Sequence, residues 1–181
     1  MATTYSTSLK LALIGDGDQA GIWGQTTNTN LGTLLEQAIT GVQSITMLDA
    51  NYTLTNFNGV TNEARNAVLV VTGTNSAIRD LIPPVVEKLY TIVNNTTGGF
   101  AIRVIGGSGT GVNIPNGATC LVYCDGTNFN LALSSGLNTA NYTIKQVGST
   151  LVFQYNGANV AVMDSGGNLT SAGQFVAGGS V

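Results

Sequence analysis

Charge is the scarcest resource in this chain. Only 8% of its residues are charged, six Lys and Arg against nine carboxylates, while 43% are hydrophobic and histidine is absent. A soluble monomeric domain ordinarily carries roughly 25% charged residues. A surface this neutral must be covered by other molecules or wetted by Asn, Thr, Ser and Gly. Both routes lead to a β-rich structural protein that assembles. The same scarcity excludes chemistry. Without histidine there is no Ser-His-Asp or Cys-His site and no His-bearing zinc site.

The polar residues that remain point to strands and turns. Thr, Asn and Ser dominate, and Gly makes up 24 of 181 residues. Glycine, Asn and Ser supply turns, while Val, Ile and Thr favour strands. The net charge of −3 comes without a basic run, so the main source of nucleic-acid affinity is missing. No apolar stretch reaches the roughly 18 residues of a spanning helix, so no membrane insertion is expected. The segment Met1-Ala2-Thr3-Thr4-Tyr5 lacks a signal peptide's basic and apolar regions. The expectation is synthesis in a host cytoplasm. The two cysteines, Cys120 and Cys124, share a strand-like segment. Four residues along a strand separate them by about 13 Å, too far for a disulfide, so both read as reduced.

Along the chain, residues 1–28 read as an extended arm. Leu9, Leu11 and Leu13 alternate with Lys10 and Ala12, and Gly15-Asp16-Gly17-Asp18 breaks the run. The single tryptophan sits in Gly21-Ile22-Trp23-Gly24. A helix is predicted over about 30–40 from Leu31, Leu34, Leu35, Ala38 and Ile39, with Thr29 or Asn30 as N-cap and Gly41 as stop. From residue 42 the pattern changes to short apolar runs between turn signals, as in a sandwich or barrel. Pro83-Pro84 excludes a central strand there. After Ser134-Ser135-Gly136 a meander of three runs is predicted, with Asn156-Gly157 as a hairpin turn. The fold class is therefore mainly β: an N-terminal arm and short helix (1–41), a jelly-roll-like β-sandwich (42–133) and a C-terminal hairpin unit (134–181).

Candidate sites are few. Asp16 and Asp18 could touch a cation, but an oxygen-rich Ca²⁺ loop needs more acids; a solvated turn is the plainer reading. Gly106-Gly107-Ser108-Gly109-Thr110-Gly111 lacks the Lys of a phosphate loop and reads as a connection between strands. No catalytic residue, metal ligand or cofactor is assigned. Leu9, Leu11, Leu13, Ile22 and Trp23 remain as a candidate assembly interface. A thin arm cannot bury its own leucines, and a glycine-flanked tryptophan is a natural anchor in a partner's groove.

Three stretches resemble tail-fibre and related virion proteins of tailed bacteriophages. The first is Gly15 to Ile39, with Gly21-Ile22-Trp23-Gly24 and Thr26-Thr27-Asn28-Thr29-Asn30 ahead of a helix. The second begins at Ala64-Arg65-Asn66-Ala67-Val68-Leu69 and continues through Tyr90 and Thr97-Gly98-Gly99-Phe100 to Val122–Asn128. The third is Leu151 to Asn168. No long shaft or receptor-binding tip accompanies them. The resemblance implies a homotrimer, located in the virion, that is not an enzyme and joins other virion proteins through its arm. A tail fibre or fibre module engaged in host attachment is the first reading, with host surface glycan as a partner. A capsid decoration or head-fibre protein is the second, and a polysaccharide-degrading tail enzyme the third.

Overall fold

The computed structural model describes residues 3–132, 136–138 and 141–173. Strands dominate, with one helix of 18 residues. The chain divides into two compact units, Met1–Ala132 and Leu133–Val181.

The first unit begins with a short antiparallel hairpin, β1 (Thr4–Tyr5) against β2 (Ala12–Leu13). The alternating leucines predict one strand through 9–13. Lys10 instead takes a φ of +55°, which breaks the strand and turns the arm back on itself. The helix α1 starts earlier than its apolar stripe. It runs over Trp23–Thr29, continues as a π-helical stretch Asn30–Leu35 and closes with Glu36–Thr40. Asn30, expected to cap, lies inside the helix. Gly41 ends it as predicted, in extended backbone. The wider π turn changes the angular step per residue, so the expected stripe does not stay on one buried face. Leu34 is fully buried, whereas Leu31 and Ile39 are 58% and 67% exposed.

The strands that follow alternate between two sheets. They are β3 (Val42–Met47), β4 (Tyr52–Thr53), β5 (Val68–Gly73), β6 (Arg79–Ile82), β7 (Lys88–Asn94) and β8 (Ile102–Val104). The odd-numbered strands pair in parallel as β3–β5–β7 and the even ones as β4–β6–β8. The backbone therefore winds as a coil, each turn adding one strand to each sheet. The winding stops when β9 (Val112–Ile114) pairs antiparallel with β8. Then β10 (Thr119–Cys124) runs antiparallel to β7, and β11 (Phe129–Leu131) closes that edge. The jelly-roll connectivity expected for 42–133 is not what forms. A jelly roll pairs its neighbours antiparallel, and these central ladders are parallel. Cys120 and Cys124 are free thiols on β10, and the glycine-rich segment connects β8 to β9.

The coil has one core, supplied by both sheets. Ile45, Leu69, Val71, Tyr90, Ile92 and Val122 from the first sheet join Leu81, Ile102, Val104 and Ile114 from the second, all essentially inaccessible to solvent. Stacking coils requires backbone to approach backbone at the corners. Gly73 and Gly98 both hold φ at +104°, and a Cβ there would collide with the main-chain oxygens of Met47 and Asn75, one coil below. Hydroxyls continue the ladders: Thr46 bonds Thr72, and Thr74 bonds Thr97. Buried Asn94 is fully engaged, donating to Phe100 and Ile114 carbonyls and accepting from the Thr96 amide and hydroxyl. Such satisfaction is what a buried amide requires.

The second unit is a five-stranded antiparallel meander: β12 (Gly136–Asn138), β13 (Tyr142–Val147), β14 (Thr150–Tyr155), β15 (Ala158–Met163) and β16 (Leu169–Ser171). Two strands more than predicted take part. The β14–β15 turn is Asn156-Gly157 with φ of +48° and +80°, the double positive φ that the favoured two-residue hairpin needs. Among the described residues only Val152 is buried in this unit, so the sheet has no closed core of its own. The tail beyond Gly173, read from sequence as loose, and the junction Ser134-Ser135 lie outside the described residues.

Candidate functional site

The arm, the helix and the loop 55–66 meet at Arg65. This side chain is 2% exposed. It follows Asn62, whose Oδ1 accepts from the Arg65 amide and caps the short 3₁₀ turn Glu63–Arg65. The guanidinium Nε donates to the Leu9 carbonyl at 2.8 Å, Nη2 to the Phe57 carbonyl, and Nη1 to the Val60 carbonyl and Gln37 Oε1. Burial pulls its pKa below the usual arginine value. Arginine's fixed fork suits such multiple anchoring.

Around this clamp the arm is tied at three more points. Asn30 inside the helix reads both polar groups of Ala12, donating to its carbonyl at 2.8 Å and accepting from its amide at 3.1 Å. The Gly59 amide donates to the Lys10 carbonyl. The Tyr5 ring edge lies so close over Gly59 that a Cβ there would stand 2.9 Å from it. Between hairpin, helix and loop lies an open cleft of ≈ 330 Å³ bordered by Tyr5, Gln25, Thr26, Thr29, Asn30 and Asn58. Its lining offers amides, hydroxyls and one aromatic ring and no charged side chain. Such a set suits a neutral hydroxylated ligand better than a phosphate.

The five candidate interface residues divide into two sets. Leu9 and Leu11 are half-buried, consistent with the main-chain ties of the arm. Leu13, Ile22 and Trp23 are 50%, 51% and 61% exposed. Trp23 does not sit in a glycine-flanked loop; it is the first residue of α1. Leu31 and Ile39 on the same helix and Val42 on the edge strand β3 are exposed apolar residues as well. Leu31 and Ile39 carried the signal for the helix itself, as members of its one apolar stripe.

The second sheet carries a polar outer surface. Asn51, just before β4, Asp80 on β6 and Arg103 on β8 form a chain of bonds: Asn51 Oδ1 accepts from the Asp80 amide, and Arg103 Nε donates to Asp80 Oδ1 at 2.8 Å. Beside them Asp49 accepts from Arg79 Nε and from the Ser76 amide and hydroxyl. These donors, Arg79 first, hold the Asp49 carboxyl well below its ordinary range. Among the described residues no three His, Cys, Asp or Glu side chains gather where they could hold a metal ion. No helix there is long and apolar enough to cross a membrane.

No protein-family model, curated protein or solved structure matches this chain.

Proposed function

We propose that this chain is a structural component of a tailed-phage virion, a tail-fibre protein or fibre module that works as a homotrimer in host attachment. The observation that carries the reading is the exposure of the large apolar side chains Ile22, Trp23, Leu31, Ile39 and Val42 in a chain with 8% charged residues. Exposed apolar surface of this extent marks sites that other molecules cover. Trp23 and Ile22 are the anchors to the neighbouring virion protein. The neutral cleft beside Tyr5 is the place for a host surface glycan, since amides and hydroxyls pair with sugar hydroxyls and the Tyr5 ring offers a stacking face. In this reading the two sheets of the coil act as a rigid support, the anchors and the cleft share the one helix, and no enzymatic step is assigned.

The arm bears on where the protein sits. It is bound to its own unit through Arg65 and Asn30, which half-buries Leu9 and Leu11 and leaves Leu13, Ile22 and Trp23 to reach outward. Imaging labelled protein on intact particles tests the proposal. Density at the tail supports attachment, and density on the shell supports the decoration reading instead. Binding of the purified chain to host cells, lost in Tyr5→Ala and Asn58→Ala, supports the cleft. Release of reducing sugar from host glycan would favour the enzyme reading over both.

A further inference from the structure

We infer that the arm is the movable wall of the neutral cleft, so that a sugar in the cleft and the docked arm hold each other in place; the inference rests on the reading of the cleft as a glycan site and names how that site is regulated. The cleft has three walls from three segments. The hairpin brings Tyr5 and Ala12, the helix brings Gln25 and Thr29, and the loop 55–66 brings Asn58 and Gly59. The side chains of Tyr5, Gln25, Thr29 and Asn58 have no hydrogen-bond partner among the described residues. Two others beside them are already engaged within the fold: Asn30 with Ala12, and the Thr26 hydroxyl with Gln19 Oε1. Open polar groups therefore lie on all three walls, and a bound sugar joins the arm to the helix and the loop through its hydroxyls.

The wall that the arm supplies is the least firmly held. None of residues 3–33 is buried, and Leu34 is the first buried residue among those described. The hairpin β1–β2 has two residue pairs. What fixes the arm is polar: Arg65 Nε on the Leu9 carbonyl, the Gly59 amide on the Lys10 carbonyl, and Asn30 on Ala12. A segment without buried apolar contacts opens at a lower free energy than the core. Undocking takes Tyr5 and Ala12 away and leaves two walls. A ligand that needs all three binds only the docked state, and by linkage it favours docking by one plus the ratio of its concentration to its Kd. Arg65 does not border the cleft, yet it sets the docked fraction, and apparent affinity falls with that fraction. It is a positioning residue for the sugar.

Trypsin reports the docked state. Lys10 is the only tryptic site before Arg65. It lies in the arm but outside the cleft border, and its carbonyl is tied to Gly59, so cutting after it requires undocking. The full-length wild type is titrated with glucose, galactose, rhamnose and N-acetylglucosamine at millimolar concentration. Binding is read by saturation-transfer NMR, and cutting after Lys10 by mass spectrometry. A sugar that binds should slow this cut about tenfold at ten times its Kd, with cutting of a free peptide of residues 4–16 unchanged. Arg65→Met should speed the cut and raise the apparent Kd severalfold, whereas Arg79→Met on the other sheet should alter neither. The wild-type titration stands whether or not Arg65→Met folds. A sugar that binds without slowing the cut overturns the coupling and leaves the glycan site standing. An unchanged Kd in folded Arg65→Met overturns the positioning role of Arg65. Binding of none of the four sugars overturns the glycan reading and the coupling with it.

Discussion

Arg65 Nε donates to the main-chain oxygen of Leu9 at 2.8 Å, joining positions 56 residues apart. One buried guanidinium thereby fixes the arm to the coil. Replacing it by Met leaves the carbonyls of Leu9, Phe57 and Val60 without their donor. Hydrogen bonds to charged groups contribute about 1.5–3 kcal/mol each. Arg65→Met is expected to lower stability by about 3 kcal/mol and to open residues 9–22 to protease. Unchanged cleavage kinetics would show that the arm is held by something else.

Gly73 and Gly98 test the coil. Alanine at either must hold a φ of +104° and push against backbone of the preceding turn. Strained positions of this kind cost about 1–3 kcal/mol, and the collision adds to that. Gly117 also has positive φ but open space around it. Denaturant unfolding should place Gly73→Ala at least about 2 kcal/mol below Gly117→Ala. Equal losses would mean that the turns do not stack as closely as described.

Lys88 lies with Nζ 4.4 Å from the centroid of Tyr90. Burial, and secondarily the charge of Arg65, depresses its pKa to about 8. In an unfolded chain lysine titrates near about 10.4. Between these values the unfolded state holds a proton that the folded state has released. Stability therefore rises with pH from about 8 to about 10, by roughly 2 kcal/mol. Below pH 8 the group is charged in both states and contributes no slope. The urea midpoint measured across this range should climb in wild type and stay flat in Lys88→Met; a flat wild-type profile contradicts the burial argument.

Trp23 is 61% exposed, so Trp23→Ala should change stability by no more than about 0.5 kcal/mol. The same change should abolish incorporation into particles, scored by co-sedimentation. A destabilised but still incorporated variant would assign Trp23 to the fold and not to attachment.

Local signals carried well from the sequence, and long-range pairing did not. The Asn156-Gly157 hairpin and the Gly41 helix stop depend on the chemistry of one or two residues, and both formed. Ile45 alternates with Ser44 and Thr46 as in any half-buried strand, and Leu69 and Ile92 sit in short apolar runs that read simply as strand. Such local patterns do not say which strand pairs with which, or in which direction, so the coil was invisible in them. The strand Arg79–Ile82 was hidden by its two leading charges, which become legible only when Asp80 meets Arg103 across the sheet. In the site, Ile22 and Trp23 were legible because a large apolar group between glycines has few local uses. Arg65 was not, because its partners are main-chain oxygens far away in sequence. Leu31 and Ile39 misled for a physical reason. An α-helical period places them on the buried side, and the π turn over Asn30–Leu35 moves them off it.

Assembly is the central claim, and the mass of the native particle in solution tests it most directly. Multi-angle light scattering of the purified full-length chain at micromolar concentration should give a single species of three times the chain mass. A monodisperse species of one chain mass would contradict the account.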